Sequence, residues 1–443
     1  MTKSNPTYLS IVLASLTVAA IAAAAGCTVS TPHRRPLADA SNEPVVDAAS
    51  DGPSLCNANQ PLRCDKGALI RCNGNGTAEV TESCPLGCIA ADLRCAQFVP
   101  SNGLSKYLEM ATAQSDLNLG DSAEINTDTG EVKVGGVPVA VYSDTVAQSG
   151  APTIRVLAVR SLVAKNVTVS GNNALAVVSS GDVQISGGGV FTGFTVSGRG
   201  SVRGPGAFGG GLGMGGPPVL GPVNSGLASG GGGGGFGAPG GKGGTATNNQ
   251  GTVPSYGGGI TTGNETLEPL RGGSDGGGNG GGGGGGGGAL QLVSGSRIVI
   301  MGAVAASGGG GVGSANSGGG GGSGGGILLE APLVEISGNV AANGGGGSGC
   351  GAPSDGGFYA TPARGTAGCQ RTMFLTFYYG AGGNGGAGFF SATEGESMTL
   401  NAPIVAGYGG GGVGRIRVNT ASGDFVNVGT VSPNASKGTV VSR

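Results

Sequence analysis

The side chains able to do chemistry are few in this chain, and they are unevenly placed. His33 is the sole histidine among 443 residues and sits beside Arg34 and Arg35 in a Pro-rich stretch. Without another imidazole, neither a nucleophile–histidine triad nor a histidine metal site can be assembled. Cysteine is the more informative residue. Cys56, Cys64, Cys72, Cys84, Cys88 and Cys95 crowd into one segment, and Cys350 and Cys369 stand apart as a further pair. A zinc site would call for C-x-x-C spacing or a histidine partner, yet the nearest approach is Cys84-x-x-x-Cys88. Apart from Cys27, the even number of cysteines predicts disulfides in an oxidising compartment instead, with Cys350 pairing Cys369 and the connectivity of the other six left open by spacing alone.

Carboxylates give weaker signals. Asp182, Glu330, Glu335, Arg297, Arg415 and Arg417 read as outward charges on different strands. Glycosidic cleavage needs two carboxyl groups roughly 5 to 10 Å apart, and Glu330 with Glu335, flanking one turn, is the pair to test. Solvated strand charges are the simpler account of both. Eight of the nineteen Phe and Tyr residues fall between Phe358 and Phe390. Phe374, Phe377, Tyr378 and Tyr379 form the densest group. Such a cluster either seals the open side of a repeat as a small core or presents flat rings to a glycan or a protein.

Glycine-rich motifs add no cofactor. Phe236 to Gly243 lacks the first Gly and the final Ser or Thr of a phosphate loop, and the many G-x-G-x-x-G matches precede no helix. Gly382 to Ala387 approaches a calcium-binding nonapeptide but has Ala387 where the ligand Asp would stand. The expectation is no cofactor, no metal and no catalytic residue. A net charge of −2 offers no basic field for nucleic acid.

The elements that must position these residues come from a repeat. Ala174 to Gly187 (ALAVVSSGDVQISG) and Ala289 to Gly302 (ALQLVSGSRIVIMG) share one spacing, with a shortened copy at Ile327 to Gly338 and a lengthened one at Ile416 to Gly429. Alternate apolar positions, such as Leu290, Leu292, Ile298 and Ile300, mark pairs of half-buried strands. Units of this kind cannot bury their apolar side alone and must stack, which predicts a mainly β chain built as a parallel β-helix or solenoid. Glycine contributes 102 residues and interrupts the repeats after each strand pair. Its entropy makes long disordered loops the expected state; hydrogen-bonded polyglycine strands are the alternative.

Composition divides the chain further. Residues 1–26, with Lys3 and an uncharged run from about Leu9 to Ala25, predict a signal peptide. Residues 27–53 predict a disordered tether, 54–100 a disulfide-rich module with a hairpin turning at Asp65-Lys66-Gly67, and 101–153 a β capping segment with a short helix near Leu104 to Ala113. The Gly-rich solenoid follows over 154–443, with a low-complexity insert at 205–288.

Ala24-Ala25-Gly26-Cys27 resembles the lipobox of bacterial lipoproteins, which implies cleavage before Cys27 and its acylation. With the six cysteines, the repeat copies and the closing GGGGVGRIRVNT from Gly409 to Thr420, the chain resembles glycine-rich surface lipoproteins of gliding soil bacteria. Its Gly tracts are similar to those of PE-PGRS proteins. The resemblance implies location and architecture: a lipid-anchored protein of the outer membrane or cell surface with a non-catalytic structural or adhesive role. Expected partners are the membrane, through the lipid, and a glycan or cell-surface protein. The alternative is a β-helix polysaccharide lyase or hydrolase.

Overall fold

A computed structural model of the chain describes residues 56–443 apart from 85, 188–192, 224, 279–281, 314–317, 352, 358–359 and 373–375. Cys27, His33, the signal peptide, the tether, Phe358, Tyr359 and Phe374 lie outside the described residues.

The chain is mainly β, and the repeat copies lie in register on one another. Three large sheets carry them. In the first, Ala174–Ser179, Ala289–Ser294, Gly326–Glu330 and Arg415–Thr420 are parallel neighbours. Leu175 pairs with Leu290, Leu290 with Ile327, and Ile327 with Ile416, so one apolar ladder crosses four copies. The second sheet repeats the pattern with Val183, Ile298 and Val334. A third strand per copy, which the repeat pattern did not include, builds the third sheet from Phe194–Thr195, Ala303–Ala305, Asn339–Ala341 and Thr430–Ser432. The principal core lies between these sheets, and Leu290, Leu292, Ile298 and Ile300 are all completely buried in it. Each such side chain contributes about 1.5–3 kcal/mol through burial.

The first sheet departs from the half-buried expectation, because its other face is buried too. Ala174, Ala176 and Val178 join Leu104, Tyr107, Phe236, Leu267 and Leu270 in a second core. The cover comes from the helix Ser105–Ala111 and from residues 264–271. A strand covered on both sides reads as a continuous apolar run, as ALAVVS does.

Strands from residues 117–146 form the N-terminal edges of the three sheets. Tyr142–Val146 pairs antiparallel with Ile154–Val159, and the hairpin of Val132–Val134 and Val137–Val139 lies antiparallel on Ala123–Asn126. The disulfide-rich module holds Cys56–Cys72, Cys64–Cys88 and Cys84–Cys95. Its hairpin, Pro61–Asp65 with Ala68–Cys72, turns at Lys66 and Gly67, both with positive φ (47° and 80°), as a tight two-residue turn between right-twisted strands requires.

The glycine tracts overturn the disordered-loop expectation. From Gly320 to Gly325 successive amides donate to different neighbours: Gly320 to Gly277, Gly321 to Gly409, Gly322 to Gly309, Ser323 to Ser274, Gly324 to Gly412 and Gly325 to Ala306, at 2.6–3.0 Å. Every third residue returns to the same neighbouring segment. That is the period of a polyproline II helix, which has three residues per turn and no internal hydrogen bonds. The tract therefore satisfies its amides only by packing among others like it. Glycine is needed for approach and not for handedness, since none of Gly320, Gly321, Gly322, Gly324 and Gly325 lies in the left-handed region. A methyl group on Gly320, Gly321 or Gly322 would fall 2.0–2.1 Å from the carbonyl oxygen of Gly232, Gly345 or Gly285. The entropic cost of ordering glycine is offset here by a buried backbone hydrogen-bond lattice.

Candidate functional site

Cys350 ends one glycine tract and is bonded to Cys369, which opens the antiparallel hairpin of Cys369–Thr372 and Thr376–Tyr379. Closing this loop, with a sequence separation of 19, restricts the unfolded chain by about 3 kcal/mol. Arg371 Nη2 donates to the Cys350 carbonyl at 3.0 Å, a second tie at the same corner. Tyr378 and Tyr379 pair in parallel with Ile404–Val405, which fixes the hairpin to a four-stranded sheet beside the glycine lattice.

Burial then divides the aromatic residues. Tyr379 is buried, and burial raises its phenol pKa against the lowering effect of Arg371. Phe377 and Tyr378 are half-buried. Tyr379 therefore belongs to the seal, whereas Phe377 and Tyr378 keep part of their surface open. The most exposed rings were not among the expected patch residues. Phe389 and Phe390 are 87% and 62% exposed, in a tight turn where Ala387 and Phe390 exchange backbone hydrogen bonds and Gly388 has φ of 58°. Two adjacent Phe residues directly after an Ala-Gly turn were the available signal.

The two carboxylates placed together by sequence do not share a surface. Glu330 is not an outward charge: it is 2% exposed on the first sheet, whereas Glu335 is half-buried on the second. Four donors close on the Glu330 carboxylate. Ser101 gives its amide at 3.1 Å and its hydroxyl at 2.8 Å, Gln291 Nε2 lies at 2.6 Å and Asn419 Nδ2 at 3.0 Å. The segment at Ser101 is thereby pinned across three neighbouring strands. Burial raises the pKa of Glu330, opposed by the hydrogen bonds from Asn419, Ser101 and Gln291. Since the folded protein holds this proton more tightly than the unfolded chain, the stabilisation is complete at low pH and is lost as pH rises through the raised value. Glu330→Gln should therefore gain stability relative to the parent as pH is raised from about 4 to about 8. Thermal denaturation at several pH values checks this, and a pH-independent difference would contradict it.

Polar groups also gather at a cleft of about 840 Å³ between the third sheet and the lattice, lined by Thr168, Ser170, Ser197, Arg199 and Asp275 among others. Arg203 Nε donates to the buried Asp275 at 2.6 Å, which fixes that wall. Among the described residues no group of three or more His, Cys, Asp or Glu could hold a metal ion, and no helix is long and apolar enough to cross a membrane. Comparison with protein-family models, with curated proteins and with solved structures finds no match to this chain.

Proposed function

We propose that the protein is a lipid-anchored, non-catalytic scaffold of the outer membrane or cell surface. In this reading the three sheets are the walls of a β-solenoid, Cys27 carries the acyl anchor, and the stapled aromatic hairpin is the contact surface. The carrying observation is the pairing of rigid support with open rings: a disulfide, a backbone lattice and a four-stranded sheet hold Phe377 and Tyr378 partly exposed. Flat rings held this way offer contact area at low entropic cost, which suits a glycan or a cell-surface protein. Paired cysteines on both sides of the chain's middle support an oxidising compartment. The lipobox-like residues before Cys27 support anchoring.

The test compares cells bearing the parent protein with cells bearing Phe377→Ser, Tyr378→Ser, Phe389→Ser and Phe390→Ser together. Attachment to glycan-coated or cell-coated surfaces should fall by about tenfold, as expected when an exposed aromatic anchor is removed, with the circular dichroism spectrum unchanged. Mass spectrometry should find diacylglyceryl on Cys27, and Cys27→Ala should release the protein from membranes. Unchanged attachment would remove the adhesive role; an unmodified N-terminus would remove the anchor.

A further inference from the structure

Where the glycine lattice meets the outer face of the first sheet, two cations surround one phenyl ring with no acid in ion-pair contact. Phe236 is completely buried. The Arg271 guanidinium lies 5.6 Å from its centroid and 4.7 Å from that of Phe208, and the Arg415 guanidinium lies 5.7 Å from the Phe236 centroid. Among the described residues no carboxylate stands within ion-pair distance of either arginine. Arg415 donates from Nε and Nη2 to a single acceptor, the Thr262 carbonyl, at 3.4 and 3.3 Å. Burial lowers the pKa of both arginines, Arg415 lowers that of Arg271 further, and the Glu265 carboxylate acts the other way on Arg415. Like charges brought together out of water are destabilising unless something compensates them.

A second, independent feature marks the same place. Arg271 Nε, Thr262 Oγ1 and Ser274 Oγ are buried atoms with no hydrogen-bond partner, and among the described residues only Glu82 Oε2 shares that condition. Ser274 is completely buried. Ser274 Oγ and Thr262 Oγ1 meet beside Gly213, and Arg271 Nε lies beside Gly263, the residue after Thr262. A methyl group on Gly213 would lie 2.4 Å from Ser274 Oγ and 3.1 Å from Thr262 Oγ1, while one on Gly263, the next residue, would lie 3.5 Å from Arg271 Nε. Buried polar groups are nearly always satisfied, by protein, ordered water or a ligand, and orphans beside two cations without ion-pair partners are the donors and charges that an anion would engage.

The geometry points to a binding site for a monoanionic oxyanion, a carboxylate or sulfate ester, held by Arg271 and Arg415 and by the hydroxyls of Thr262 and Ser274. A cleft of about 270 Å³ opens onto Arg415, its lining including Glu265, Asn434 and Ser436. Glu265 in this cleft offsets part of the arginines' charge, so that two cations and one carboxylate leave one positive charge, which a single negative charge balances and a phosphate dianion would exceed. The group arrives either as a free ion or on an acidic glycan. Arginine serves both, because its planar fork matches oxyanion geometry.

Calorimetric titration of the full-length protein at constant ionic strength, with acetate, D-glucuronate, oligogalacturonate and orthophosphate, tests this. Saturable binding of acetate and glucuronate would show that the free group suffices, and binding of the oligomer alone would identify a glycan-borne one; either supports the site. Arg271→Met and Arg415→Met should each weaken binding by about tenfold or more, the loss of a charge-assisted hydrogen bond. Arg199→Met, which alters a different cleft, should leave it unchanged. Should an arginine variant misfold, the near-isosteric Thr262→Val decides: it must weaken binding while the protein remains folded. No saturable binding of any carboxylate, binding indifferent to Thr262→Val, or a preference for orthophosphate at pH of about 8 would overturn the assignment.

Discussion

Gly411→Ala is expected to cost about 3–5 kcal/mol, far more than an ordinary glycine-to-alanine change. The added methyl would stand 2.0 Å from the Gly322 carbonyl oxygen and 2.5 Å from its carbon, well inside contact distance. Neighbouring segments would have to part. Gly411 N donates to Gly345 O, and Gly386 N donates to Gly411 O, both at 2.8 Å. Parting exposes or orphans these buried groups at about 1–3 kcal/mol each, in addition to the overpacking strain. Gly257→Ala provides the contrast. Nothing lies within 4 Å of a methyl there, and Gly257 is exposed outside the left-handed region. That change should be neutral or stabilise by up to about 1 kcal/mol through the unfolded chain. Denaturant unfolding of both variants checks the pair, and equal effects would mean that the lattice does not constrain its members.

Leu292→Ala should destabilise by about 2–5 kcal/mol. Leu292 is completely buried in the principal core, and its strand is paired on both sides, Leu292 itself with Val177 and with Leu329. Neither neighbouring copy can close over the space, because each is fixed in register by its own ladder hydrogen bonds, so a cavity term adds to the lost burial. Leu212→Ala, at a residue 77% exposed, should stay within about 0.5 kcal/mol. Unfolding midpoints of the two variants measure the difference. Similar values would remove Leu292 from a shared core.

The stacking of copies was legible because it rests on side-chain type at a fixed spacing. Leu175, Leu290, Ile327 and Ile416 occupy equivalent positions in the sequence, and they pair in that order. The third sheet was hidden because its strands are short and partly small, as in AVA at Ala303–Ala305 and NVA at Asn339–Ala341. Double burial of the first sheet was visible only as an unbroken apolar run, since its covering residues, Leu104, Tyr107 and Leu267 among them, lie far away in sequence. Glu330 was misread as a solvated charge for the same reason. Its donors Ser101, Gln291 and Asn419 converge from three remote segments, the nearest 39 residues away. Glycine order was the largest departure. Propensity describes one glycine-rich chain in water, whereas the lattice gains its hydrogen bonds from many chain segments at once. Of the candidate site, the Cys350–Cys369 bond and the aromatic cluster were readable; which rings face outward depended on hairpin register.

Amide hydrogen exchange across the glycine tracts, notably residues 228–245, 272–278, 283–288 and 318–326, tests the central claim most directly. A hydrogen-bonded lattice continuous with the sheets predicts slow exchange, with amides of Gly232, Gly286 and Gly322 protected to an extent comparable with Leu290 and Leu329. Exchange in these tracts at the rate of an unstructured peptide, beside protected strands, would contradict it.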